Sequence, residues 1–144
     1  MDDDNVWYCS KCKDHQQATK TLNIWRVPDV VIISLKRFEY RNAIHRDKLD
    51  VFVDFPIDGL DMSKYSLSSG EDIPDRSLLY DLYAVDNHFG RMGFGHYTAF
   101  ARDLSPSAVD QEWYNFDDSR VSRMSKEDVH SNAAYILFYR RRGS

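Results

Sequence analysis

The stretch Leu78-Leu79-Tyr80-Asp81-Leu82-Tyr83-Ala84-Val85, the glycine-broken run Asn87-His88-Phe89-Gly90-Arg91-Met92-Gly93-Phe94-Gly95, and His96-Tyr97-Thr98-Ala99-Phe100-Ala101 decide the fold of this chain. The flanks, 78–85 and 97–101, have the aromatic and apolar composition of strands, and the glycines between them read as a loop. The same pattern extends outward. Residues 30–35 (Val30-Val31-Ile32-Ile33-Ser34-Leu35) form a nearly unbroken β-branched run, which predicts a strand buried on both faces. Residues 49–55 alternate through Leu49, Val51, Val53 and Phe55, the pattern of a half-buried strand, and Pro56 ends it. Further strands are expected at 19–27, 113–116 and 133–139. Residues 41–48 read as a loop, 60–65 as a helical turn, and 66–75 as the most flexible stretch. Ser125-Lys126-Glu127-Asp128 has the spacing of a capping box, predicting a short helix. Short connections imply antiparallel pairing, so the expected class is α+β with little helix.

The 144 residues fit one domain, large enough to bury roughly 68–70% of its unfolded surface. A composition of 42% hydrophobic and 14% aromatic residues supports a packed core. A net charge of −4 gives no electrostatic footprint for nucleic acid. No apolar run reaches the ~20 residues of a membrane helix, and no signal peptide precedes the first acidic residues, so a soluble intracellular domain without a membrane partner is expected. Two cysteines only three positions apart do not make a disulfide scaffold.

The chemistry centres on His96 and Asp117. His96 follows the glycine run and opens an apolar stretch; Asp117 ends Glu112-Trp113-Tyr114-Asn115-Phe116 and is followed by Asp118-Ser119. Two strand ends side by side would let the carboxylate hold the imidazole in one tautomer, as a base for a nucleophile requires. A solvated loop with a satisfied histidine is the competing reading. On an extended backbone Asp117 and Asp118 would point to opposite faces, leaving only one to orient His96. His88 is a weaker rival base, and His45 and His130 read as surface residues. No convincing nucleophile accompanies the pair.

Cys9-Ser10-Lys11-Cys12 has the knuckle spacing of a zinc ribbon but supplies two of the four ligands zinc needs, with His15 a candidate third. A redox pair, a low-pKa Cys12 between Lys11 and Lys13, and two inert thiols remain open. The run 90–95 superficially matches a phosphate loop, but a strand rather than a helix follows it. Three glycines in six residues instead suit a moving loop or close approach by another backbone, with Met92 and Phe94 placed to close over an extended peptide. Lys36-Arg37 reads as a partner contact or a solvated strand end, and Arg140-Arg141-Arg142 is too short for a nucleic-acid patch.

The ordered motifs Tyr8-Cys9-x-x-Cys12-Lys13, Ile33-x-Leu35-Lys36-Arg37-Phe38, Tyr80-Asp81-Leu82-Tyr83-Ala84-Val85, Gly95-His96-Tyr97-Thr98-Ala99, Trp113-Tyr114-x-Phe116-Asp117-Asp118-Ser119 and Ala133-Ala134-Tyr135-x-Leu137-Phe138-Tyr139 closely resemble the C-terminal half of the catalytic domain of ubiquitin-specific proteases. The resemblance covers nearly the whole chain. It implies a papain-like cysteine protease fold: residues 1–18 as part of the zinc-bearing fingers and 19–142 as the palm. It implies His96 as general base, Asp117 as its orienter and Asp118 as an acidic group near the oxyanion. Phe38, Gly95 and Tyr97 would line the channel for the ubiquitin tail, and His88, Phe89, Gly90, Arg91, Met92, Gly93 and Phe94 would form a blocking loop. Cys9 and Cys12 would hold a structural zinc as half of its site.

The family's cysteine box and second knuckle are absent, and Arg91 and Phe94 stand where small residues are usual. The implied function is therefore the His/Asp-bearing part of a thiol-dependent ubiquitin hydrolase. Its nucleophile would come from the N-terminal half of the same catalytic domain, and its partners would be ubiquitin and ubiquitinated proteins, in cytoplasm or nucleus. A non-catalytic ubiquitin-binding module is the alternative, and a zinc-ribbon nucleic-acid domain a distant third.

Overall fold

A computed structural model of the chain describes residues 6–40, 46–67, 77–91, 94–105 and 112–143. Its strands are β1 (Val6–Cys9), β2 (Asp14–Gln17), β3 (Val30–Ser34), β4 (Phe38–Tyr40), β5 (Arg46–Lys48), β6 (Leu60–Asp61), β7 (Leu79–Arg91), β8 (Phe94–Arg102), β9 (Trp113–Asp117), β10 (Arg120–Met124) and β11 (Ala134–Arg141). One turn of 3-10 helix, Lys126–Val129, is the only helix among the described residues. The main sheet runs β10-β9-β8-β7-β11-β3, with β6 added against β7. Every pairing within it is antiparallel. Among the described residues, β1 pairs only with β2, and β4 only with β5.

One face of the sheet carries the core. Tyr80, Leu82 and Val85 of β7 and Leu137 and Tyr139 of β11 are fully buried. Val27, Phe55, Ile57, Met62 and Val129 cover them from connecting segments. Burying each of Leu82, Val85 and Leu137 contributes roughly 1.5–3 kcal/mol, against about 0–1 kcal/mol for an exposed ion pair, so this face holds the sheet. The β7–β11 register slips twice, between Ala134 and Ile136 and between Phe138 and Tyr139. The slip between Phe138 and Tyr139 leaves Tyr83 as the extra residue on β7, and across it the buried set passes from Tyr80 and Leu82 to Val85 and Asn87; the other slip leaves Tyr135 as the extra residue on β11.

Several expectations are corrected. Residues 30–35 are not buried on both faces: β3 is an edge strand, with Val31 and Ile33 turned in and Val30 and Ile32 exposed. Residues 49–55 are not a strand. Arg37 is buried, and its guanidinium donates to the carbonyls of Ala134 (3.0 Å), Leu49 (3.1 Å) and Val51. The carbonyls of Leu49 and Val51 thus face a cation instead of a neighbouring strand, and Arg37 is no solvated strand end. Residues 19–27 make a single bridge, Ile24 to Ser66, with Leu22 and Trp25 left exposed.

The expected loop 41–48 ends in β5, while 41–45 lie outside the described residues, as do 68–75 of the expected flexible stretch. The helical turn expected at 60–65 begins instead as β6 and turns only at 63–65. The expected helix after Ser125 is a single 3-10 turn, and Ser125 Oγ bonds the Asp128 carboxylate at 3.1 Å rather than capping a backbone amide. The basic tail is structural: Arg141 is buried and donates to Ser77 O (2.8 Å), Val27 O (2.5 Å) and Asp29 Oδ1 (3.1 Å).

Arg37→Ala removes three long-range bonds from a buried cation. It should lower stability by about 2–4 kcal/mol, read as a lower urea midpoint at unchanged m-value. Arg37→Lys, which lacks the fork, should recover less than half of that loss.

Candidate active site

β7 and β8 form a long hairpin whose register sets Tyr97 opposite His88, His96 opposite Phe89 and Gly95 opposite Gly90. The expected loop 88–95 is therefore mostly strand: β7 continues to Arg91 and β8 begins at Phe94, while Met92 and Gly93 lie outside the described residues. Phe89 is 44% and Phe94 90% exposed, so the hairpin's outer end presents apolar side chains to solvent. At Gly90, φ is +95°, and a Cβ there would lie 2.6 Å from Phe94 O; the turn requires glycine.

His96 projects from β8 with about half its side chain exposed. β9 ends at Asp117, and a two-residue turn, Asp118-Ser119, leads into β10, with Asp117 opposite Arg120. Asp118 takes φ +49°, the left-handed conformation that Asp tolerates better than most residues. That turn overrides the expectation that the two carboxylates diverge. Ligating atoms of His96, Asp117 and Asp118 all lie within 4.8 Å of one another.

His96 Nε2 donates to Asp117 Oδ1 at 2.5 Å. This bond, then the charges of Asp117 and Asp118, raises the imidazole above its ordinary value of 6.5. Holding the proton at Nε2 leaves the Nδ1 lone pair as the basic site. Three such groups are also close enough for a cation, but the 2.5 Å contact commits the facing atoms of His96 and Asp117 to each other.

The expected channel residues come together around His88. Its ring lies 4.8 Å from that of Tyr97 and 5.4 Å from that of Phe38, which packs 5.5 Å from Tyr135. A Cβ on Gly95 would sit 2.0 Å from His88 Nε2, so no larger residue fits. His88 is 4% exposed; burial first, then the Lys48 charge, lowers its pKa. It is a buried wall rather than a rival base. His130 is likewise not simply a surface residue: it is half-buried, with Nε2 2.6 Å from Phe55 O.

A cavity of about 390 Å³ lined by Asp58, Arg102, Trp113 and Lys126 lies at the far end of β8 from His96 and belongs to separate ion pairs. Cys9 and Cys12 sit on the β1–β2 hairpin, where the Lys13 amide donates to Cys9 O at 2.7 Å. Backbone amides of Cys12 and Lys11 lower the Cys9 thiol below its usual value. His15 does not join them: it pairs with Tyr8 and stacks edge-on at 5.4 Å.

Residues 4–139 match the family described as ubiquitin carboxyl-terminal hydrolase. The chain belongs to that family. It is of the ubiquitin-specific protease type, and the papain-like fold with mostly antiparallel sheet agrees with its structural neighbours. It is 51% identical over 138 residues to human ubiquitin carboxyl-terminal hydrolase 15, covering 96% of this chain and 13% of the relative. Against ubiquitin carboxyl-terminal hydrolase 9 of Arabidopsis thaliana it is 47% identical over 138 residues, covering 96% and 14%. The SAGA DUB module Ubp8/Sgf11/Sus1/Sgf73 bound to monoubiquitin superposes with TM-score 0.77 at 36% identity, covering 97% of this chain and 29% of that one. The chain thus spans about a seventh of the length of the curated relatives.

Sequence reasoning missed β10 and the left-handed Asp118, whose signal was the Asp-Ser pair between two short strand-like runs. It also missed the burial of His88, which the three nearby glycines hinted at.

The raised His96 pKa means that its contact with Asp117 stabilises the folded chain below pH about 6.5 and fades as pH rises through the raised value. NMR titration of His96 should give a midpoint above 6.5, moving down towards 6.5 in Asp117→Asn; an unchanged midpoint would remove the carboxylate as its cause.

Proposed function

We propose that this chain supplies the acid–base half of a thiol-dependent ubiquitin hydrolase. The single observation that carries the reading is the 2.5 Å bond from His96 Nε2 to Asp117, which leaves Nδ1 basic at an exposed position. A cysteine from the N-terminal part of the same catalytic domain attacks the carbonyl of ubiquitin's terminal glycine in the isopeptide bond. His96 takes the thiol proton and returns one to the leaving lysine amine; water then hydrolyses the thioester. Asp117 fixes the ring, and Asp118 adds negative charge beside it. Phe38, Gly95 and Tyr97, with His88 behind them, form one wall of a slot suited to a Gly-Gly tail. Phe89 and Phe94 alternate with His88, Gly95 and Tyr97 along the hairpin and stand exposed on its His96 face.

Two observations support a second half. Membership in the family supports a cysteine nucleophile, and among the described residues no sulfur lies in the His96 cluster. The edge strand β3 presents the exposed apolar side chains Val30 and Ile32, a surface suited to covering by further chain.

The β1–β2 hairpin, paired only with itself, supports a boundary between fingers (1–18) and palm (19–142). Its knuckle turn, with amides aimed at the Cys9 sulfur, fits two thiolate ligands of a structural zinc. Zinc there would tie Cys9 and Cys12 to a second knuckle, stabilising the fold. Free thiols in that role suit the reducing cytoplasm or nucleus.

The lone chain should not release a fluorophore from a ubiquitin C-terminal substrate, whereas mixing it with the N-terminal part should restore turnover. Appreciable cleavage by the lone chain would return Cys12 to consideration. In the intact protein, His96→Ala should cut kcat by about 10²–10⁴-fold while ubiquitin binding persists. Undiminished turnover would take the base role from His96, and an intact protein that binds ubiquitin without turnover would be a binding module. Metal analysis should find about one zinc per reconstituted pair, lost in Cys9→Ser with Cys12→Ser.

A further inference from the structure

His88 lies outside the proposed acid–base pair, yet it is among the most confined polar side chains in the molecule. We propose that His88 is a positioning residue for His96: its ring is a strut beneath both chain neighbours of the base, Gly95 and Tyr97. The inference rests on the active-site reading given above and adds a residue to it.

The strut is anchored from three elements. The His88 amide donates to Ala133 O at 2.8 Å, just before β11. Its carbonyl accepts from Lys48 Nζ of β5 at 2.7 Å, and its strand pairs it with Tyr97 of β8. The ring itself is packed between Phe38 and Tyr97, with Tyr135 further off at 6.3 Å. Its Nε2 edge lies directly beneath Gly95, where a Cβ would come within 2.0 Å. His96 has no comparable packing of its own. It stands half in solvent, and its side-chain hydrogen bond goes to Asp117 at the end of the neighbouring strand β9. The position of its backbone therefore depends on the residues before and after it, and His88 supports both.

Shape rather than charge is what the site uses. Among the described residues His88 Nδ1 has no hydrogen-bond partner, so the ring belongs to no proton relay. The ionisable groups around it are Lys48 and Asp50, Tyr97 on β8 and Tyr135 on β11. Burial and the Lys48 charge favour the neutral form of this ring, the reverse of the charge-favouring surroundings of His96. A charged ring in this packed site would lose hydration with no counter-charge in contact.

The test uses His88→Ala and His88→Phe, read in two ways. In the 144-residue chain, NMR titration of His96 needs no turnover; His88→Ala should move its midpoint from above 6.5 towards 6.5, and His88→Phe should keep most of the elevation. In the intact enzyme, His88→Ala should lower kcat by about 10-fold or more with KM changed less than about twofold, since a small displacement of the base costs chemistry before binding. His88→Phe should recover most of that loss. If the alanine variant does not fold, His88→Leu, which fills space without a flat ring, takes its place. A folded alanine or leucine variant with unaltered His96 titration and kcat overturns the proposal. So does a phenylalanine variant as impaired as alanine. Failure of the active-site reading is separate: the intact wild-type enzyme would then lack turnover, while the titration still reports on His88.

Discussion

β7 hydrogen-bonds on both sides, to β8 and to β11, and that double pairing is the constraint from which the site follows. Its inner half is clamped between two long strands whose buried residues hold the sheet. Its outer half continues as the hairpin that carries His88, Gly95 and His96. The register cannot slip by one residue, because every buried side chain from Tyr80 to Asn87 would turn outward. The bulge that leaves Tyr83 unpaired against β11 reconciles this register with an inward set that changes parity midway along β7.

The hairpin sets two histidines one rung apart across the ladder, on opposite faces, and treats them oppositely. His88 is enclosed, and burial with the nearby Lys48 ammonium disfavours its charge. His96 is exposed, and a carboxylate at 2.5 Å favours its charge. One residue type thereby meets an enclosed site that disfavours its charge and an exposed one that favours it, one rung apart. The difference arises from strand geometry, since residues whose side chains leave opposite faces of one ribbon meet different surroundings.

Buried arginines do much of the remaining organisation. Arg37 gathers the carbonyls of Leu49 and Val51, and Arg141 those of Val27 and Ser77, so segments without ladder partners are still held on the sheet. This explains why alternating hydrophobicity at 49–55 does not produce a strand. Periodicity reports which side chains face inward, but whether backbone groups meet another strand or a guanidinium depends on residues far away in sequence. The run 30–35 misled for a related reason: β-branched composition identifies a strand but does not distinguish a central one from an edge.

The sequence by itself determined the strand-rich class, the strands at 78–85 and 97–101 on either side of the glycine run, the His96–Asp117 pairing of residue types and, through its ordered motifs, the family. Those signals are local: composition, glycine placement and the order of short motifs. Only the tertiary structure decided that Asp118 turns back towards His96 instead of away, that His88 is a buried strut beneath Gly95, and that Arg37 and Arg141 lie inside. Each of these depends on a single backbone dihedral or on contacts between residues dozens of positions apart, and such long-range geometry leaves no periodic trace along the chain.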